Sequence, residues 1–126
     1  MSGIEGRTAV VAGASRGAGR GIALALGAAG ATVYLAGRSV RGGAKPSDGA
    51  AGTIDDTADE IKARGGTAIP VRTDFTLESD VAALFDRVQS EQGRLDLLAN
   101  AVWGAADGYK SGTDWQTAWG TPFWEQ

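Results

Sequence analysis

The sequence contains neither cysteine nor histidine. Without cysteine, the chain has no disulfide bonds, thiolate metal sites, iron–sulfur clusters or cysteine nucleophiles. Without histidine, it lacks the commonest general base and the commonest protein ligand of transition metals. Any active site built from this chain alone must therefore use carboxylates, hydroxyls, lysine or arginine.

Charge and hydropathy exclude two further classes of protein. The net charge is −3, and no block of like charge provides the basic surface that nucleic-acid binding requires. No run approaches the roughly 20 apolar residues of a membrane span, and the N-terminus lacks the cationic and apolar regions of a signal peptide. We therefore predict a cytoplasmic protein that binds neither nucleic acid nor membrane.

The length of 126 residues fits one domain, in which four short apolar runs alternate with three helical patterns. The runs occupy residues 8–12, 32–36, 68–72 and 95–99. Near-continuous apolar strands are typical of a parallel sheet buried on both faces. The order βαβαβαβ predicts a Rossmann-type, doubly wound α/β fold, for which we expect strand order 3-2-1-4. Pro70 predicts that the third strand lies at an edge.

Each helical pattern has a predicted apolar face and ends at a glycine. The faces are Ile22, Ala25, Leu26 and Ala29 in the first helix, Ile54, Ala58 and Ile61 in the second, and Val81, Leu84, Phe85 and Val88 in the third. The terminating glycines are Gly30, Gly65 and Gly93, and Thr53 is the predicted N-cap of the second helix. Residues 37–52 form a long loop, of a length that is usually mobile or functional.

A glycine-rich turn follows the first predicted strand and opens the first helix. Gly13 permits the tight turn, Gly17 lets the backbone approach phosphates, and Gly19 lets the helix pack closely on the strand. The helix N-terminus supplies free N–H groups and partial positive charge. This arrangement is typical of a pyrophosphate-binding turn, and no Gly-Lys-Ser/Thr follows it as in a P-loop.

The end of the second predicted strand indicates which dinucleotide would bind. An acidic residue here would hold the ribose 2′-hydroxyl of NAD, but the sequence reads Gly37-Arg38-Ser39. Arg38 can fork onto a 2′-phosphate, and Arg16 in the turn can flank it. The pattern therefore predicts NADP(H).

At these residues the chain resembles the short-chain dehydrogenase/reductase family. The spacing Gly13-x-x-x-Gly17-x-Gly19 matches the cofactor motif of that family, with Ala12 where threonine is usual. Asp74 matches the adenine-binding aspartate, and Asn100 and Ala101 match the central residues of the Asn-Asn-Ala-Gly motif. The resemblance implies a cofactor site made of Gly13, Ser15, Arg16, Gly17, Ala18, Gly19, Arg38, Ser39, Asp74, Phe75, Asn100, Ala101 and Val102.

The resemblance also implies a Ser, a Tyr and a Lys four residues after that Tyr as the catalytic groups. Tyr34 is followed at that spacing by Arg38, and Tyr109 is followed by Thr113. We therefore assign no catalytic residue and no metal ligand. The full-length parent would act with NADP(H) on a small-molecule carbonyl or alcohol.

We interpret residues 1–102 as the NADP(H)-binding part and residues 103–126 as a tryptophan-rich tail that begins a missing catalytic half. The apolar tail and an open strand edge predict either self-association into a homo-oligomer or folding of the tail over the cofactor cleft. The main alternative is a non-enzymatic NADP(H)-binding sensor or a partner-dependent subunit. A receiver-like or flavodoxin-like domain is disfavoured, because strand one does not end in Asp and the loop has dinucleotide spacing.

Overall fold

The computed structural model describes residues 3–44 and 49–103, together with Pro122 and Trp124. Strands and helices alternate along the described chain, which confirms the predicted βαβαβαβ order. The elements are β1 (Thr8–Ala12), α1 (Gly17–Ala28), β2 (Thr32–Gly37), α2 (Ile54–Ala63), β3 (Thr67–Arg72), α3 (Glu78–Gln92) and β4 (Leu97–Asn100). None of the helices in these ranges is both long and apolar enough to cross a bilayer.

The four strands form one parallel sheet in the order β3-β2-β1-β4. This is the predicted order, and it places β1 between β2 and β4. Pro70 lies on β3, opposite Leu35, at one edge of the described sheet. An edge strand tolerates proline because one side of its backbone needs no ladder donor.

Two apolar cores cover the two faces of the sheet, so successive residues of β1 belong to different cores. Ala9 and Val11 pack with the side chains of α1 and α2, whereas Val10 packs with Leu84 and Val88 of α3. All five residues of β1 are buried. Burial on both faces explains why the strand is apolar at every position instead of alternating.

The predicted apolar face of α1 was wrong in part. The buried residues of this helix are Gly19, Ala23 and Gly27, whereas Ile22 is 40% exposed and Ala25 is also exposed. The reason is the close packing of α1: a Cβ at Gly27 would lie 2.7 Å from Cγ2 of Ile61 in α2. A helix that approaches its neighbours so closely presents its smallest residues to them, and hydrophobicity alone does not identify that face.

The helix ends follow the sequence signals. The Thr53 side chain accepts a hydrogen bond from the backbone N–H of Asp56 (3.0 Å), which makes it the N-cap of α2. Gly30, Gly65 and Gly93 all have positive φ, at 92°, 85° and 70°. These glycines therefore end the three helices in the left-handed conformation that the missing side chain permits.

Strand β4 begins two residues later than predicted. The carboxylate of Asp96 accepts a hydrogen bond from the Thr8 N–H (2.8 Å), and the Asp96 N–H donates to the Thr8 carbonyl (2.9 Å). Arg94 also pairs with Asp96, and these contacts hold the pKa of the Asp96 carboxyl below its ordinary value. Asp96 thus joins the start of β4 to the start of β1 through its side chain, before the regular ladder begins at Ala9 and Leu97.

The predicted tail falls almost wholly outside the described residues. Tyr109, Trp115, Trp119 and Phe123 belong to that part, so the division at residue 102 stays a prediction. Of the two described tryptophans, Trp103 is 63% exposed and Trp124 is 71% exposed.

Candidate cofactor-binding site

The residues predicted from the sequence to bind the cofactor lie at the carboxyl ends of the parallel strands. Gly13 follows β1, Arg38 follows β2, Asp74 follows β3 after one residue, and Ala101 follows β4. Parallel strands end at a common edge, so the fold brings four segments of distant sequence to one side of the sheet. In open α/β sheets this edge is where ligands bind.

Gly13 makes the sharp turn out of β1. Its φ is 81°, and its N–H donates to the Ala36 carbonyl of β2 (2.8 Å). A Cβ at this position would lie 2.8 Å from the carbonyl oxygen of Ala101, just beyond β4. Gly13 is therefore required for its conformation and for close contact with the neighbouring strand end.

Gly17 and Gly19 differ in the space around the position of a Cβ. Gly17 has a φ of 57° and nothing within 4 Å of where a Cβ would stand, so the backbone there faces open space. A Cβ on Gly19 would lie 1.9 Å from the Gly13 carbonyl oxygen, a distance that excludes any side chain. Gly19 thus permits α1 to pack against the turn, and Gly17 leaves its N-terminus open.

The first turn of α1 is electrostatically suited to an anion. It contains no acidic residue, and its N-cap, Arg16, makes no side-chain capping hydrogen bond. The helix N–H groups and the positive end of the helix dipole favour negative charge at this point. Ala18 is exposed and Ser15 is buried, with 8% of its surface accessible.

Thr57 of α2 holds the other side of the turn, and no pattern in the sequence predicts this role. Its side chain is fully buried, and its hydroxyl donates to the Ala14 carbonyl (2.9 Å). The same hydroxyl lies 3.3 Å from the Thr53 carbonyl one helical turn earlier. A buried carbonyl needs such a partner, so Thr57 stabilises the path of the turn between Gly13 and Ser15.

Arg16 and Ser39, predicted from separate motifs, are in direct contact. The Nη2 group of Arg16 donates to Oγ of Ser39 (2.9 Å) and to the Gly52 carbonyl (3.2 Å), and its Nε donates to the Ala51 carbonyl (3.0 Å). Ser39 is 7% exposed, while its neighbour Arg38 is exposed. The structure thus places the turn beside the residues that follow β2, where the sequence predicts a 2′-phosphate. We call the place formed by Arg16, Arg38 and Ser39 the corner.

Asp74 is an ionised carboxylate beside this corner. Hydrogen bonds from the hydroxyl (2.6 Å) and backbone N–H (2.9 Å) of Thr76 hold the pKa of Asp74 below its ordinary value. The positive charges of Arg38 and Arg72 lower that pKa further. Phe75, the next residue, packs partly buried against the α3-side core.

Hydrogen bonds order the backbone where β4 ends. The Asn100 side chain accepts from the Val102 N–H (3.1 Å), and the Ala101 N–H donates to the Ala12 carbonyl (2.9 Å). Val102, which stands where the resembled motif has glycine, is 41% exposed. The close approach at this point is between backbones, because a Cβ on Gly13 would lie 3.1 Å from the Val102 nitrogen.

Tyr34 has a structural role. Its side chain is fully buried in the α3-side core, and its hydroxyl donates to the Glu91 carboxylate (2.9 Å) near the end of α3. Burial raises the pKa of Tyr34 above its ordinary value. Tyr109 lies outside the described residues. Among those that are described, no cluster of three or more metal-ligating side chains occurs.

Comparison with known proteins agrees with this arrangement. Residues 7–118 match the short-chain dehydrogenase family. The chain belongs to that family. Dehydrogenase/reductase SDR family member 1 of Mus musculus is 41% identical over 123 residues, which make up 97% of this chain and 34% of that protein. This short-chain dehydrogenase chain spans about a third of the length of the curated relatives it matches.

Solved structures share both the fold and the sequence pattern. The structure of hydroxysteroid dehydrogenase from Escherichia coli has a TM-score of 0.66 at 32% identity, covering 81% of this chain and 39% of that one. A metagenomic short-chain oxidoreductase in complex with NADP has a TM-score of 0.60 at 35% identity, covering 75% and 38% of the two chains. The short-chain dehydrogenase assignment therefore rests on sequence and on fold together.

Proposed function

We propose that this chain binds NADP(H) as the cofactor-binding part of a short-chain oxidoreductase. In the whole protein, the bound cofactor would supply hydride transfer to or from a small-molecule carbonyl or alcohol. The observation that carries the cofactor choice is the contact between Arg16 and Ser39 (2.9 Å), which sets one arginine against the residue that follows Arg38. The solved relative in complex with NADP supports the same choice.

Different residues at the carboxyl ends of the strands would bind different parts of the cofactor. The N–H groups at the start of α1 would hold the pyrophosphate, because this helix end is open and has no acidic residue in its first turn. Arg38, Arg16 and Ser39 would hold the 2′-phosphate, since arginine donates charge-assisted hydrogen bonds to phosphate oxygens. Asp74 would accept a hydrogen bond from the adenine amino group, with the Phe75 backbone beside the ring.

The strand ends contribute the remaining contacts. Asn100, Ala101 and Val102 would line the cofactor where β4 ends, opposite the glycine turn. Within this chain we assign no group that moves a proton, because neither tyrosine has a lysine four residues later. The proposed work of the chain is to bind and orient the cofactor.

Titration with the two cofactors tests the proposal. We expect NADPH to bind at least about 10-fold more tightly than NADH, which corresponds to roughly one charge-assisted contact, ~1.5 kcal/mol. Arg38→Asp should reverse the preference, because a carboxylate repels the 2′-phosphate and accepts from a ribose hydroxyl. Equal affinity of the unchanged chain for both cofactors would contradict the assignment.

A matched variant separates charge at this corner from charge in general. Arg64 is exposed and pairs with Glu60 one turn away on α2. Arg64→Asp makes the same change of charge at the C-cap of α2, where the arginine pairs with Glu60. It should leave the NADPH preference unchanged within about twofold.

A further inference from the structure

The guanidinium of Arg16 is held by the main chain of a short segment that precedes α2. We call residues 51–53 the strap. Its carbonyls at Ala51 and Gly52 accept from Nε (3.0 Å) and Nη2 (3.2 Å) of Arg16, and Nη2 also donates to Ser39 Oγ (2.9 Å). Nε and one Nη form the edge with which arginine usually forks onto an anion. Here that edge is engaged by the protein, so the strap sets the plane of the guanidinium.

The strap is itself fixed by three contacts. Gly52 has a φ of 104°, and a Cβ there would lie 2.6 Å from the backbone oxygen of Ser15 in the glycine turn. Thr53 caps α2, and the following N–H, of Ile54, donates to the Ser39 carbonyl (2.9 Å). The strap therefore lies directly on the turn, with only glycine fitting at its centre.

We propose that Gly52 is a specificity-determining position, which acts through Arg16 to favour NADPH over NADH. The proposal rests on the proposed NADP(H) binding. Gly52 lets the strap approach the turn, and the strap then orders Arg16 beside Ser39 before any cofactor binds. Because the arginine is already ordered, it loses less entropy on binding the 2′-phosphate. NADH has no 2′-phosphate and gains nothing from this order, so Gly52 is a positioning residue for one cofactor only.

The experiment measures the dissociation constants of NADPH and NADH for the full chain, three single variants and the double variant Gly52→Ala/Arg16→Lys. Gly52→Ala introduces the Cβ that meets Ser15. Gly42→Ala is the matched control, because Gly42 also has a positive φ of 76° in the same loop but has nothing within 4 Å of its Cβ position. Arg16→Lys keeps the charge and removes the planar set of donors. A thermal melt of each variant checks that it is folded.

We expect Gly52→Ala to weaken NADPH about fivefold and to leave NADH within about twofold, the scale of ordering one long side chain. Gly42→Ala should change neither affinity by more than about twofold. In the double variant, Gly52→Ala should have no further effect on the affinity ratio once Arg16 is lysine, because both changes remove one shared interaction. Equal weakening of both cofactors by Gly52→Ala, or additive effects in the double variant, would overturn the proposal.

Arg16→Lys keeps the test decisive if Gly52→Ala does not fold. Loss of the NADPH preference together with faster proteolysis at residues 50–53 would support the strap, since both follow from releasing it. Loss of the preference without faster cleavage would overturn the proposal, because the strap would then keep its place without the guanidinium and would not be coupled to Arg16. An unchanged chain that binds both cofactors equally would refute the proposed function itself, whereas intact preference in Gly52→Ala would refute only the role of Gly52.

Discussion

Replacing the buried hydroxyl of Thr57 tests whether α2 holds the glycine turn in place. Thr57→Val keeps the branched shape but removes the donor to the Ala14 carbonyl, which lies 2.9 Å away in the buried interior. A buried acceptor left without its partner costs about 1–3 kcal/mol. For a domain of this length, that corresponds to roughly 4 °C in Tm for each kcal/mol.

Thr57→Ser is the matched comparison, because it keeps the hydroxyl and removes one buried methyl group. The lost methyl costs on the order of 1 kcal/mol, so both variants should be less stable than the unchanged chain. Their cofactor binding should differ. Thr57→Ser should bind NADPH and NADH as the unchanged chain does, whereas Thr57→Val should weaken both to the same extent, because the displaced turn serves the pyrophosphate that the two cofactors share.

Urea denaturation followed by circular dichroism gives the free energy of unfolding, and fluorescence titration gives the two dissociation constants. The reasoning fails if Thr57→Val is as stable as the unchanged chain, since the Ala14 carbonyl would then not depend on the hydroxyl. It also fails if Thr57→Val changes the ratio of NADPH to NADH affinity, because that ratio belongs to the corner formed by Arg16, Arg38 and Ser39.

Three further predictions concern stability, turnover and association. The pKa of Asp96 is lowered on folding, so the contribution of its carboxylate to stability should be present above about pH 4 and be lost as the pH falls through the folded pKa. Asp96→Asn should therefore flatten the acid limb of a plot of stability against pH. An unchanged acid limb would contradict this. The 126-residue chain should not oxidise NADPH with a panel of aldehydes and ketones, and steady turnover that Gly13→Val abolishes would reveal a catalytic group. Leu97 and Leu98 are 37% and 56% exposed on β4, so sedimentation should detect self-association that Leu98→Lys reduces, and a monomer at all concentrations would speak against it.

The sequence was sufficient to predict the order of the elements and the position of the glycine turn. Both depend on signals that neighbouring residues carry: continuous apolar runs for strands buried on two faces, and glycines where φ is positive or a Cβ cannot fit. Gly19 shows how direct such a signal is, because the 1.9 Å distance to the Gly13 carbonyl leaves no alternative residue. Parallel strands then bring their carboxyl ends together, so the fold class alone placed Asp74 near Arg38.

Other features depended on contacts between residues far apart in the sequence, and only the tertiary structure decided them. The apolar pattern of α1 favoured Ile22, but the helix packs so closely that Gly19, Ala23 and Gly27 form the buried face. Thr57 is one threonine among several until α2 brings its hydroxyl to the Ala14 carbonyl, 43 residues away. Gly52 likewise gains its role only where the strap meets Ser15 and holds Arg16. Local patterns specify strands, turns and caps, whereas the partners of a buried hydroxyl or an arginine fork are set by which surfaces the folded chain brings into contact.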